Sequence, residues 1–179
     1  MAPSEDEVME WIETAEESKN IERVLEALVS CCADPSELGT AAEAAADALD
    51  RLAADSAAEY DRDAGARAIV AGLTAFQDEA AIVEVLLSCV RRAATDNPSA
   101  AAIFAANAAA VIGSMARHQE GESTLQEQGC LAIEAVANAG GAADFNAAGA
   151  KDACLRAVDA IFNERNKTYP HKALAALDK

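Results

Sequence analysis

Three short motifs divide this chain at an even interval. Ala64-Gly65-Ala66, Ala106-Asn107-Ala108 and Ala148-Gly149-Ala150 are separated by 42 residues and then by 42 again. A fixed period of this size marks stacked arrays, in which each unit buries its apolar face only against its neighbours. Glycine, and after it asparagine, tolerates the left-handed backbone that ends one helix and starts another, so each motif is expected as a sharp turn. Behind the first two turns, Ile69-Val70 with Leu73 matches Val111-Ile112 with Met115, the spacing of a helix that buries one face. Ala153-Cys154 and Ala157-Val158 give the third copy. Ahead of the turns, helix endings LDRLAAD (49–55), VRRAATD (90–96) and IEAVANA (133–139) align with a one-residue slip in the middle copy. Between ending and turn, SAAEYDRDAG, NPSAAAIFAAN and GAADFNAAG are each long enough for a short helix. Each unit therefore reads as short helix, medium helix, long helix.

Composition agrees with helices throughout. Of 179 residues 52 % are apolar but only 4 % aromatic, so alanine supplies most of the apolar surface and strand-forming runs are scarce. The boundaries follow local signals. Ser4 and Glu7 have capping-box spacing ahead of Val8, Trp11, Ile12 and Ala15, which predicts a capping helix over 5–18 with Trp11 covering the end of the core. Asp34-Pro35-Ser36 separates two helical patterns, and Pro98 stands where a short helix begins. Ser123 with Gln126, and Thr124 with Glu127, fit capping boxes at the start of TLQEQGCLAIEAVA (124–137). A helix is expected from Ala150 to about Asn166, with Tyr169-Pro170 breaking the pattern after it. The chain divides into a capping helix (1–19), a repeat domain (20–166) and a carboxy-terminal helix or tail (167–179).

TLQEQGCLAIEAVA, followed by DFNAAGA (144–150), resembles the third helix of an armadillo repeat running into the next repeat. The resemblance extends at pattern level over residues 38–162. It implies an all-α, right-handed α-solenoid of about three to four three-helix units whose third helices line a concave surface. In that frame Leu125, Gly129, Ala132, Ile133 and Val136 form one buried stripe. A glycine inside it costs about 1 kcal/mol of helix propensity, tolerable where a neighbouring helix needs the space of the missing side chain. The resemblance also implies where a peptide would be gripped. The family often sets Trp and Asn on successive third helices; here the Trp-like positions are Asp47, Ser88 and Leu131, and the Asn-like ones Arg51, Arg92 and Ala135. The ladder of an importin-like receptor is missing. Arg51 and Arg92, at one inner position of consecutive units, either clamp carboxylates of a partner or pair with Asp47, Asp50 or a neighbouring helix's carboxylate.

Charge and chemistry narrow the function classes. The net charge is −17, which opposes binding to a phosphate backbone, and residues 1–60 carry 16 acidic against 3 basic groups. That end either attracts basic partners or simply solvates the protein. Residues 150–179 hold 4 acidic and 6 basic groups. Cys31, Cys32, Cys89, Cys130 and Cys154 lack metal-ligand spacing and read as free, mostly buried thiols of a reducing compartment. With no signal-peptide pattern or membrane-length apolar run, the expected setting is intracellular: cytoplasm, or an organelle interior after import. His118 and His171 stand outside any recognised catalytic motif, and His118 is expected to serve a helix end. The expectation is a non-enzymatic interaction module, a scaffold or accessory subunit docking through protein partners on a multisubunit complex. A free adaptor that binds basic peptides is the alternative. No cofactor, metal, nucleic acid, membrane insertion or small-molecule substrate is expected.

Overall fold

The computed structural model describes residues 3–54, 60–95 and 97–179, and among these every regular element is a helix. In chain order they are α1 (Glu5–Ser18), α2 (Ile21–Cys31), α3 (Gly39–Ala53), α4 (Arg62–Ala75), α5 (Ala80–Ala94), α6 (Pro98–Ala106), α7 (Ala108–Arg117), α8 (Ser123–Val136), α9 (Ala142–Ala147), α10 (Ala150–Ala160) and α11 (Thr168–Leu177). No single helix among the described residues is long and apolar enough to cross a membrane.

The start of the chain folds as its sequence predicts. Ser4 Oγ accepts from the Glu7 amide at 3.3 Å, and Glu7 Oε2 accepts from the Ser4 amide at 2.8 Å, closing the capping box of α1. Val8, Ile12 and Ala15 are buried below it. Trp11 lies half-buried on the core, with the Arg23 guanidinium carbon 4.7 Å from its ring centre.

Two series of helices run through the molecule. α3, α5, α8 and α11 pack in succession, and α2, α4, α7 and α10 do likewise beside them. Cross-helix bonds keep the register. Asp50 and Arg92 are 42 residues apart, Gln77 and His118 are 41, and Asn138 and Lys179 are 41. The apolar cluster runs from Val8 to Leu177, and many of its members are alanines such as Ala45, Ala93 and Ala132, each fully enclosed. Small side chains let helices approach closely, and dense contact replaces the large residues this chain lacks.

Gly129 shows that approach most directly. Leu125, Gly129, Ala132, Ile133 and Val136 are all buried on α8, as the stripe requires. A Cβ on Gly129 would lie 2.5 Å from Met115 Sδ and 2.6 Å from its Cγ, so α8 seats on α7 through the absent side chain.

The three turn motifs take three different forms. Gly149 is left-handed (φ 90°, ψ 24°) between α9 and α10, as expected. Asn107 (φ −117°, ψ 28°) also separates two helices, bent by 65°, but without the left-handed conformation. Gly65 makes no turn; it is buried inside α4, where a Cβ would meet the Tyr60 ring at 2.9 Å. The first copy thus uses its glycine for packing, and its helix begins at Arg62, capped by the Asp61 carboxylate. Of the short helix predicted over 56–65, residues 56–59 lie outside the described residues, as do the last residues of LDRLAAD and VRRAATD; over 60–65 no separate short helix forms, since Arg62–Gly65 already belong to α4. Short, medium and long helices follow one another in α6, α7 and α8.

Two further expectations are corrected. The capping boxes at Ser123 and Thr124 do not form. Gln126 is instead buried, and its Nε2 donates to the Met115 and His118 carbonyls at 2.9 Å each, satisfying the end of α7. At the carboxy terminus α10 stops at Ala160, short of Asn166. Tyr169-Pro170 then opens a helix where a break is predicted. Pro170 lies in the first turn of α11, where a missing amide hydrogen costs nothing. Residues 168–177 bury Ala173, Ala176 and Leu177 on the preceding elements, so this end is a docked helix and not a tail.

Candidate functional site

The six positions singled out from the sequence lie on α3, α5 and α8, but the structure sorts them into different surroundings. Asp47, Arg51 and Ser88 line one cavity of about 210 Å³, together with Asp50, Glu84 and Gln128. Leu131 and Ala135 line a second cavity of about 540 Å³, with Arg91, Asn97, Glu134 and Asn138. Arg92 lines neither.

Both predicted arginines are already engaged. Arg51 Nε and Nη2 donate to Glu16 Oε1 at 3.0 and 2.7 Å. Arg92 Nε and Nη2 donate to Asp50 Oδ1 and Oδ2 at 2.7 and 3.2 Å, a two-point pair with side chains 31 % and 25 % exposed. They serve as ties between helices, the second of the two roles the sequence allowed. Burial disfavours the Asp50 carboxylate, but bonds from Arg92 and Ser88 and the charges of Arg92 and Arg91 outweigh it and hold its pKa below the ordinary value.

The smaller cavity is rich in acceptors. Burial, and after it repulsion from Glu122 and Glu127, pushes the Glu84 carboxyl above its usual range. Gln128 Oε1 is buried there without a donor among the described residues.

The larger cavity holds unengaged donors, and of its lining only Leu131 and Ala135 are marked by the sequence. Arg91 forms no hydrogen bond or ion pair among the described residues, and its Nε is buried. Asn97 Oδ1 accepts from the Ala100 amide at 3.1 Å, and Asn138 Oδ1 accepts from Lys179 Nζ at 2.7 Å. Those bonds fix both amides with their nitrogens unengaged. The signal available in the sequence was the doublet Arg91-Arg92, two adjacent cations of which one helix face can tie down only one.

The remaining chemistry is inert or structural. Cys31, Cys89, Cys130 and Cys154 are buried and Cys32 half-buried, all as free thiols. Burial pushes Cys31 up to about 12 and Cys32 to about 11, so neither supplies a thiolate at neutral pH. A hydrogen bond with Cys154, and then burial, raises Cys130 as well. His118 Nε2 lies 2.9 Å from the Gln77 carbonyl, so it bridges to the preceding loop and does not cap its own helix. Among the described residues no three His, Cys, Asp or Glu side chains converge as a metal site. Comparison with known proteins gave no match to any family model, curated protein or solved structure.

Proposed function

We propose that this protein is a non-enzymatic protein-interaction module, a short armadillo-like α-solenoid that docks on a larger assembly as a scaffold or accessory subunit. The observation that carries the reading is the series α3, α5, α8 and α11, whose successive packing leaves one cavity along α3, α5 and α8 and another along α5, α6 and α8. Extended faces of this kind are what stacked helical units offer a partner. On this reading α2–α3, α4–α5, α6–α8 and α9–α11 are the units and α1 is the cap. Size-exclusion of a native extract tests it: elution in a larger assembly is expected, and elution only at monomer size would refute it.

A free adaptor for basic segments is the second reading, supported by the acceptor-lined cavity at Asp47, Glu84 and Gln128. It expects Lys/Arg-rich peptides to bind with an affinity that falls steeply as salt rises. Binding that ignores salt would remove it.

A further inference from the structure

We infer that the cavity between α5, α6 and α8 is a carboxylate-binding subsite centred on Arg91, taking an acidic group presented by an extended peptide segment. The inference rests on the reading of the α3–α5–α8–α11 face as the partner surface, and it assigns that face a chemistry which the acidic end of the molecule does not suggest.

Arg91 is the starting point. A guanidinium carries five donors that are never deprotonated, and a buried N–H without an acceptor is costly. Here Nε is enclosed and no group among the described residues accepts from the side chain. Glu134 lines the same cavity but forms no ion pair with Arg91, and Asp50, which feels the Arg91 charge, is hydrogen-bonded by Arg92 one residue along.

The other polar groups extend the donor set. Asn97 approaches from the start of α6 and Asn138 from the π-helical segment Ala137–Gly141 that follows α8, each with its oxygen engaged and its nitrogen unengaged among the described residues. A carboxylate supplies the acceptor that the Arg91 guanidinium lacks, whose planar fork suits it, and the two asparagine amides on the same cavity wall add donors. Leu131, Ala135 and Pro98 supply apolar wall for the carbon chain bearing that group. Glu134 disfavours a bare anion and accepts an N–H, so the cavity wants a carboxylate with an amide hydrogen nearby. A peptide provides both. Its carboxylate comes either from an Asp or Glu side chain or from a chain terminus.

Calorimetric titration of the full chain with short peptides tests this. The probes are Ac-Gly-Glu-Gly-NH2, its Gln counterpart, and Ac-Gly-Gly-Gly with a free terminal carboxylate. Saturable binding of at least one carboxylate peptide is expected, with none for the Gln peptide, and which of the two binds identifies the source. Arg91→Gln should weaken that binding at least tenfold. Arg91→Lys, which keeps the charge but loses the fork, should weaken it less. Heat release equal for the Glu and Gln peptides, none for either carboxylate, or unchanged affinity in Arg91→Gln would overturn the assignment. Arg91→Gln that still elutes in the native assembly leaves the module reading intact, whereas a monomer-only wild type removes the module reading itself.

Discussion

Arg91 and Arg92 stand next to each other on α5 and have opposite fates. Arg92 is drawn into a two-point pair with Asp50 on α3 and becomes part of what joins α5 to α3. Arg91, turned about 100° around the same helix, acts on Asp50 only through its charge, forms no hydrogen bond or ion pair among the described residues, and lines a cavity with Asn97 and Asn138. The cavities beside them differ in the same way. One presents acceptors, Asp47, Glu84 and Gln128; the other presents donors, Arg91, Asn97 and Asn138. Ser88 and Arg91, from the respective cavities, are three residues apart, so the two regions lie roughly one helical turn, about 4.5 Å, apart along α5. In a chain this acidic, a cation without an ion pair among the described residues carries more information than any of its many carboxylates.

The most severe way to break the contrast is to unseat α8, the wall both cavities share. Gly129→Val forces a branched side chain against the Sδ, Cγ and Cε of Met115, a fully enclosed side chain that must shift to admit it. Overpacking of this kind should cost about 2–3 kcal/mol, read as a lower midpoint in urea unfolding. Gly129→Ala should cost less, because its helix propensity gain of about 1 kcal/mol offsets part of the clash.

Next comes the pair itself. Asp50→Asn should lose about 1–2 kcal/mol, since both side chains are largely out of water and Arg92 is left without its partner. The same substitution at the neighbouring site, Arg91→Gln, should change stability by less than about 0.5 kcal/mol. Equal losses would erase the distinction between a structural and an unassigned arginine. Acid titration sharpens it. The folded pKa of Asp50 is lowered, so its contribution is complete above the ordinary value of 3.8 and is lost as pH falls through the folded value. Wild type should therefore lose stability more steeply than Asp50→Asn below about pH 4.

The smallest effect concerns the acceptor cavity. The Glu84 pKa is raised, so the folded state holds that proton more readily and stability declines as pH rises from the unfolded toward the folded value. Glu84→Gln should leave neutral-pH stability unchanged or raised by a few tenths of a kcal/mol. It should weaken a Lys/Arg peptide without affecting a Glu peptide.

The sequence exposed the helices well and the site poorly, for physical reasons. Helix class, the Ser4 cap and the close contact at Gly129 rest on local preference and on periodic burial, which a single chain displays directly. The motif at Gly65 misled because glycine serves both turns and close packing, and only the Tyr60 ring decides between them. Gln126 was read as a local cap because sequence cannot show the free carbonyls of α7 that it reaches. Arg51 and Arg92 were found by position, yet whether an arginine is spent or available depends on carboxylates 35 and 42 residues away. That is also why Arg91 was missed.

One measurement puts the account at risk most directly. A nitrogen-15 spectrum of the side chains reports Arg91 and Arg92 Nε–H, the Asn97 and Asn138 amides and the Gln128 amide together. On titration with Ac-Gly-Glu-Gly-NH2, or with the free-acid peptide, Arg91 and the two asparagines should shift and saturate while Arg92 and Gln128 stay still. A Lys peptide in place of the acid should move Gln128 and leave Arg91 unmoved. If both kinds of probe move the same resonances, or Arg92 shifts while Arg91 does not, the two regions are not subsites of opposite polarity and the account is wrong.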